Sequence, residues 1–348
     1  MAQAPKLRLA ADTVLLDPRD VDKLVPGVVE LRAPAIAQVS GHILVACDAR
    51  TPPVHADWEA IGGAMAADLP NPNSLVMMRD GVVEVLRSGA VEPQTGFSDP
   101  SLISDGARVV LFHARSADVG FFGSRPWRGD DARDTLHVDI GRSADGGLTW
   151  EFSTITGAVA GEYSGVFATS GHGLVVGSTW LQPAVMRLAD GRTRHATWRS
   201  EDAGKTWSSG AACGHDCDES ALAYIGGRLV MSARSTAAFR SGALGRWWSV
   251  SEDLGLTWAE PHWSSEIPAA ACNASLVDTP HGLACIYAEA GRIGGRIMLL
   301  DHRNQWREWA KLGTGRAFGY ADALWAGDEL VVVYESDGAL RRVVAVAE

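Results

Sequence analysis

Ser143–Trp150 reads SADGGLTW, and the same frame returns as SEDAGKTW at Ser200–Trp207 and SEDLGLTW at Ser251–Trp258. The starts at 143, 200 and 251 lie 57 and 51 residues apart, the length of one four-stranded antiparallel unit. Within each octapeptide the Asp suits a tight turn, because its carboxylate accepts neighbouring backbone N–H groups, while the Gly takes a backbone conformation closed to other residues. The Trp then packs back as a large apolar anchor. A carboxylate filled by its own turn has no lone pair left for chemistry, so the octapeptide reads as scaffolding.

A second repeat runs through the whole chain: an apolar strand, a Gly-containing turn, another apolar strand. It occurs in RAPAIAQVSGHILVACDAR from Arg32, DPSLISDGARVVLFHA from Asp99, SGVFATSGHGLVVGSTW from Ser164, ESALAYIGGRLVMSAR from Glu219, NASLVDTPHGLACIYAE from Asn273 and YADALWAGDELVVVYE from Tyr320. Helical periodicity is scarce between them. Six such units predict an all-β chain folded as a six-bladed β-propeller, one domain over residues 1–348 with hairpins starting near 32, 99, 164, 219, 273 and 320. The first strand of each blade lines the central axis, so the polar residues that open the hairpins, Arg32, Asp99, Glu219, Asn273 and Tyr320, are candidates for a central pocket.

Composition bounds the partners. The chain has 348 residues, 46 % hydrophobic and 21 % charged, enough to bury a substantial core. A formal net charge of −11 argues against general binding to nucleic acid or an anionic membrane, both of which need basic surface. An anionic ligand must be caught by a local arginine cluster. The N-terminal MAQAPKLRLAADTVLLD lacks the apolar run of a signal peptide, and no stretch reaches 18 apolar residues. The expectation is a soluble protein, cytoplasmic as it stands or exported with its leader already removed. Of the five cysteines, Cys47, Cys272 and Cys285 lie in apolar strands and are expected as buried thiols. Cys213 and Cys217 share the loop CGHDC and would pair in an oxidising compartment. His215 and Asp216 in that loop match no standard zinc spacing, and no metal or cofactor is expected.

The ordered set of pocket candidates resembles the retaining exo-α-sialidases, or neuraminidases, of the bacterial type, whose repeated turn is called the Asp-box. The resemblance runs from LRAPAI at Leu31 to VVYE ending at Glu335. It implies a glycoside hydrolase that takes a sialylated glycan or sialoside and grips the sugar carboxylate with three arginines. Arg32 in RAP, Arg234 closing ESALAYIGGRLVMSAR, and Arg292 in GRIGGRIMLL match these, with Arg296 as the alternative for the third. Guanidinium forks suit that task because they bind carboxylates bidentately.

The resemblance also implies Tyr320 as nucleophile with Glu219 as its base, and Glu335 as the carboxylate that holds Arg32. The electrostatics agree: sialic acid carries a carboxylate on its anomeric carbon, which repels an ionised Asp or Glu but not a neutral Tyr. An unperturbed Tyr ionises near 10, so it needs a base and nearby positive charge. DLPNPNS from Asp68 is similar to the stretch that carries the family's acid/base, and Arg50 in CDAR to an additional pocket arginine; Asp99 would border the C5 substituent. The segment TPPVHADWEAIGGAMAA before Asp68 is longer than usual by roughly ten residues, which makes Asp57 a rival acid and is placed to roof the pocket. SLVMMRDGVVEVLRSG stands where many relatives have a first Asp-box, and LLDHRNQWREW resembles a decayed last one. Alternatives of the same fold are action on a deaminated nonulosonic acid, a trans-sialidase, and a non-catalytic glycan-binding propeller.

Overall fold

Alternating apolar positions need one face covered, and in this chain each strand set finds that cover in its neighbour. The computed structural model describes residues 6–63, 65, 67–301 and 304–348. Their strands form six small sheets, arranged as a six-bladed β-propeller. The innermost strands are β1 (Glu30–Val39), β2 (Gln94–Ser104), β3 (Gly165–Ala168), β4 (Cys217–Ile225), β5 (Ser275–Thr279) and β6 (Ala321–Ala326). Apolar clusters occupy all six blade boundaries. Leu44 shares a cluster with Leu111 between the first two blades, Phe112 with Trp198 between the second and third, and Leu181 with Leu222 between the third and fourth. The circuit continues through Trp248 with Leu276, Ile297 with Val332, and Val45 with Val333. Each large side chain buried in this way contributes about 1.5–3 kcal/mol.

The ring is closed by the chain's two ends. β6 continues through Glu329–Ser336 and Ala339–Ala347, and the last of these pairs with the N-terminal strands Leu7–Leu9 and Thr13–Leu16. Among the described residues no helix is long and apolar enough to cross a membrane.

The third hairpin differs from its expected form. β3 pairs with Thr179–Arg187, while Leu174–Val176 folds back on the start of that same strand. Gly171–His172, expected as the turn, instead runs parallel to Ser101–Leu102 of β2. The segment offers several Gly turns, and packing across the axis selects the later one at Gly177, where φ is +61. Cys213 and Cys217 are free thiols in one apolar cluster, with burial pushing Cys213 up to about 12. Asp216 accepts from Ala237 N at 2.9 Å and from the Ser235 hydroxyl, an anchor for the neighbouring chain. Among the described residues no group of three His, Cys, Asp or Glu side chains could hold a metal.

The Asp-boxes join the third and fourth strands of the second, third and fourth blades. In the second box, Asp202 accepts from Ser200 Oγ (2.8 Å), Lys205 N (3.1 Å), Thr206 N (2.8 Å) and Thr206 Oγ1 (2.7 Å). The bond from Thr206 N, followed by the hydroxyl bonds, holds its carboxyl down to about 2. The box is also a contact between blades. A Cβ on Gly147, Gly204 or Gly255 would stand 2.8 Å from Leu44, 2.6 Å from Val110 or 2.7 Å from Thr197, each on the preceding blade, at a φ of +84, +79 or +80. That blade also sends an arginine across: Arg79 Nε to Gly146 O (3.0 Å), Arg142 Nε to Gly204 O (2.8 Å) and Arg199 Nη1 to Asp253 O (3.0 Å). Because strands alternate in direction, these turns lie on the face opposite the starts of the innermost strands.

At the axis, Asp322 of β6 ties four blades together. Its Oδ2 accepts from Ile36 N (2.9 Å) on the first blade, and its Oδ1 from Ser275 Oγ (3.0 Å) on the fifth and from His172 Nδ1 (2.6 Å) in the segment paired with the second. Burial opposes a charge on His172, but the Asp322 carboxylate more than offsets it and raises the imidazole above its usual range. The ion pair therefore stabilises fully below about pH 6.5 and fades as pH rises through the raised value. Thermal unfolding of the wild type and His172→Gln from about pH 6 to about pH 9 should show a Tm gap that narrows with rising pH. A gap independent of pH would remove the charge from this account.

Candidate active site

Starts of first strands and ends of second strands meet at one face of the propeller. Arg32 and Asp99 stand at bulges of β1 and β2, where the register slips between Arg32 and Ala35 and between Ser98 and Ser101. The bulges pass through left-handed backbone at Ala33 (φ 52) and Asp99 (φ 57), which re-aims the strand toward the mouth. The second strands return Arg50, Arg234 and Glu335 to the same face. Arg292 ends the short turn Ala290–Arg292 at a φ of 55, a strained position for a residue with a Cβ. It is held there by Phe318 N on its carbonyl and by its own Nη2 on Ala271 O, both at 2.8 Å.

Three charge clusters result. In the first, Glu335 Oε1 accepts from Ala33 N (2.6 Å) and Oε2 from Tyr320 N (3.1 Å), with Arg32 Nε 2.9 Å from Oε2. The Arg32 Nε–H points off the line of a hydrogen bond, so that contact is an ion pair. Glu335 thereby raises Arg32 above its ordinary range against the opposing effect of burial. In the second, the Tyr320 hydroxyl donates to Glu219 Oε2 and accepts from Arg234 Nη1 at 2.8 Å. Arg234 Nη1 is also 2.7 Å from Glu219 Oε2, and Nη2 is 3.3 Å from Asp218 Oδ2. The Arg234 and Arg292 guanidinium carbons stand 6.0 and 5.9 Å from the Tyr320 ring centre. Burial raises Glu219 above the usual glutamate range and Tyr320 well above the usual phenol, with both arginines pulling the phenol back down. The proton therefore rests on the tyrosine.

The third cluster holds Asp48, Arg50, Asp68 and Asp99. Arg50 pairs with Asp48 at 2.9 Å through Nη2 and with Asp68 through Nη1. Burial, followed by the charges of Asp48 and Glu219, raises Asp99 well above the usual carboxylate range.

All nine sequence-predicted residues, Arg32, Arg50, Asp68, Asp99, Glu219, Arg234, Arg292, Tyr320 and Glu335, line one cavity of about 440 Å³. Between the alternatives, Arg292 lines it, while Arg296 pairs on the blade with Glu289 and Glu308. Asp68 lines it and Asp57 is exposed outside it. Asn273, expected among the openers, is not in the lining: its Nδ2 is committed to Ser170 O at 2.7 Å, an interblade tie. Sequence reasoning missed Asp218, although it directly precedes Glu219. It also missed the apolar lining, Leu69, Phe121, Leu136 and Phe167, which come from four separate segments with no local signature.

The inserted segment lies over this cavity and contributes Trp58, Glu59, Gly63 and Met65 to it. It is fastened by Gly120 N to Ile61 O (2.8 Å) and Phe122 N to Gly62 O (3.1 Å). The approach is so close that a Cβ on Gly62 would fall 1.9 Å from Gly123 N. Met65, Phe122 and Phe239 leave apolar surface exposed at the rim.

Comparison with known proteins places this geometry. The family described as BNR repeat-like domain matches residues 83–333. A sialidase of Micromonospora viridifaciens is 31 % identical over 245 residues, covering 64 % of this chain and 37 % of that protein. The chain thus spans little more than a third of the curated relative it matches. Among solved structures, Hadza microbial sialidase Hz136 superposes with a TM-score of 0.77 at 20 % identity, covering 92 % of this chain and 66 % of that one. Trypanosoma rangeli sialidase in complex with sialic acid superposes with a TM-score of 0.68 at 15 % identity, covering 92 % and 54 %. At such identities the two structures speak for the fold.

Glu335 fastens the last blade to the first through Ala33 N and the Arg32 ion pair, so its loss should leave a half-buried guanidinium with Glu30, 3.6 Å away, as its remaining ion-pair partner. Glu335→Ala is expected to lower the unfolding free energy by about 3–5 kcal/mol, read by urea denaturation. A loss under about 1 kcal/mol would mean that water replaces the carboxylate without penalty.

Proposed function

Because this chain belongs to the BNR repeat-like domain family and its pocket joins a tyrosine hydroxyl to a buried glutamate among arginines, we propose that it is a retaining exo-α-sialidase. The observation that carries this reading is the bond from Tyr320 OH to Glu219, flanked by Arg234 and Arg292. A phenol is a poor nucleophile at neutral pH, and this surrounding supplies both remedies, a proton acceptor and positive charge.

In the proposed reaction Arg32, Arg234 and Arg292 clamp the sugar carboxylate. Asp68 protonates the glycosidic oxygen as Tyr320 passes its proton to Glu219 and bonds the anomeric carbon. Asp68, now ionised, takes a proton from water, which attacks that carbon on the same face the leaving group left. The Tyr320–carbon bond breaks, Glu219 returns its proton, and the configuration is retained. The neutral tyrosine avoids the repulsion that a carboxylate nucleophile would meet. The apolar wall of Leu69, Phe121, Leu136 and Phe167, near Asp99, suits the methyl of an N-acyl substituent better than the hydroxyl of a deaminated sugar.

Release of fluorophore from an aryl N-acetylneuraminide is expected from the wild type. Tyr320→Phe should lower kcat by about 10²-fold or more, and Asp68→Ala should lose activity where Asp57→Ala keeps it. A wild type inactive on every nonulosonic acid would sink the reading. Glu219 must be ionised to take the tyrosine proton, and burial raises it. The acid limb of kcat/KM should therefore fall at a pH above about 4.3, the ordinary glutamate value, and a limb at or below that value would remove Glu219 as base.

A further inference from the structure

Asp48 lies directly beneath the cavity and is fully buried, with 0 % of its surface exposed. Both carboxylate oxygens are used. Oδ2 accepts from Arg50 Nη2 (2.9 Å), Arg50 Nε (3.2 Å) and the Ser98 hydroxyl (2.6 Å), and Oδ1 accepts from Asp99 N (2.9 Å). It thus pins the guanidinium of the first blade and the strained bulge of the second. Arg50 is itself 4 % exposed and spends its other terminal nitrogen on Asp68. Asp68 follows the inserted loop, and among the described residues its carboxylate is held by Arg50.

We propose that Asp48 is the positioning residue for the acid: by fixing Arg50 from below, it sets the place of the Asp68 carboxyl over the cavity. Arg50 is then a bridge between two carboxylates rather than a clamp on the sugar. This inference rests on the sialidase reading in naming Asp68 as acid. The physical reason is the planarity of the guanidinium. With Nε and Nη2 held on Asp48, the plane and the Nη1 direction are set, so Asp68 meets a donor at one place only. A lysine or a free arginine would let the loop carboxyl wander, and a displacement of about 1 Å costs on the order of 10²-fold in rate.

The test uses the dependence on leaving group. An acid matters most when the departing oxygen is poor, so the proposal predicts unequal losses. In Asp48→Asn, kcat/KM, which reports only the steps up to the covalent intermediate, should fall about 10- to 100-fold on a lactose-linked sialoside and less than about 3-fold on a 4-nitrophenyl sialoside. Equal losses on the two substrates, or none, would overturn it. Should Asp48→Asn fail to fold, Arg50→Lys, which keeps the charge but cannot span both carboxylates, carries the same prediction and the same overturning result. A wild type inactive on both substrates would end the sialidase reading alone. The positional claim is then decided by a crystal structure of the Asp48→Asn protein: a displaced Arg50 and Asp68 supports it, and an unmoved pair overturns it.

Discussion

Both faces of every blade are apolar, so no blade is stable until neighbours cover it on two sides, and the ring has to close. The weak point of any such ring is the seam between its last and first units. Here the seam is sealed three times over: the N-terminal strands complete the sixth blade, Val45 meets Val333 across the boundary, and Glu335 reaches Ala33 N and Arg32. The third of these is also part of the pocket. Closure and site are therefore one constraint, because the carboxylate that fastens the last blade to the first also orients an arginine and supports the backbone of Tyr320.

The pocket is a collection of charges that would be costly to bury singly and are tolerable only as pairs. Arg32 is set against Glu335, Arg234 against Asp218 and Glu219, and Arg50 against Asp48 and Asp68. Pairing keeps every group in one orientation before a ligand arrives, so little reorganisation is needed when charge develops. Left-handed backbone at Ala33, Asp99 and Arg292 belongs to the same bargain with the fold. Each is a non-glycine residue turned toward the cavity mouth by packing it could not dictate itself.

The Asp-box turned out to bind outward as well as inward. Its carboxylate is saturated by its own turn, as the residue types foretold, and this removes it from chemistry. Yet its glycine is required by the neighbouring blade as much as by its φ, and an arginine from that blade caps the turn carbonyls. The repeat is therefore the place where blade spacing is set, on the face away from the pocket.

The fold was legible because it is written locally and repeatedly: alternating apolar strands, glycine turns and an octapeptide at blade-length intervals each state their own geometry. Most of the pocket was legible too, since bulge and strand-end positions such as Arg32, Glu219 and Tyr320 fall at a constant place in each unit. What the sequence could not determine was any choice between nearby candidates. Which of Arg292 and Arg296 and which of Asp68 and Asp57 lines the cavity, and where the third hairpin turns, depended on which side chain or segment faced inward once six blades had packed. Asp48 and the apolar wall belonged to the same class. Asp48 reaches Ser98 and Asp99, 50 and 51 residues on, and the wall joins four separate segments, and contacts of that range exist only once neighbouring blades have packed.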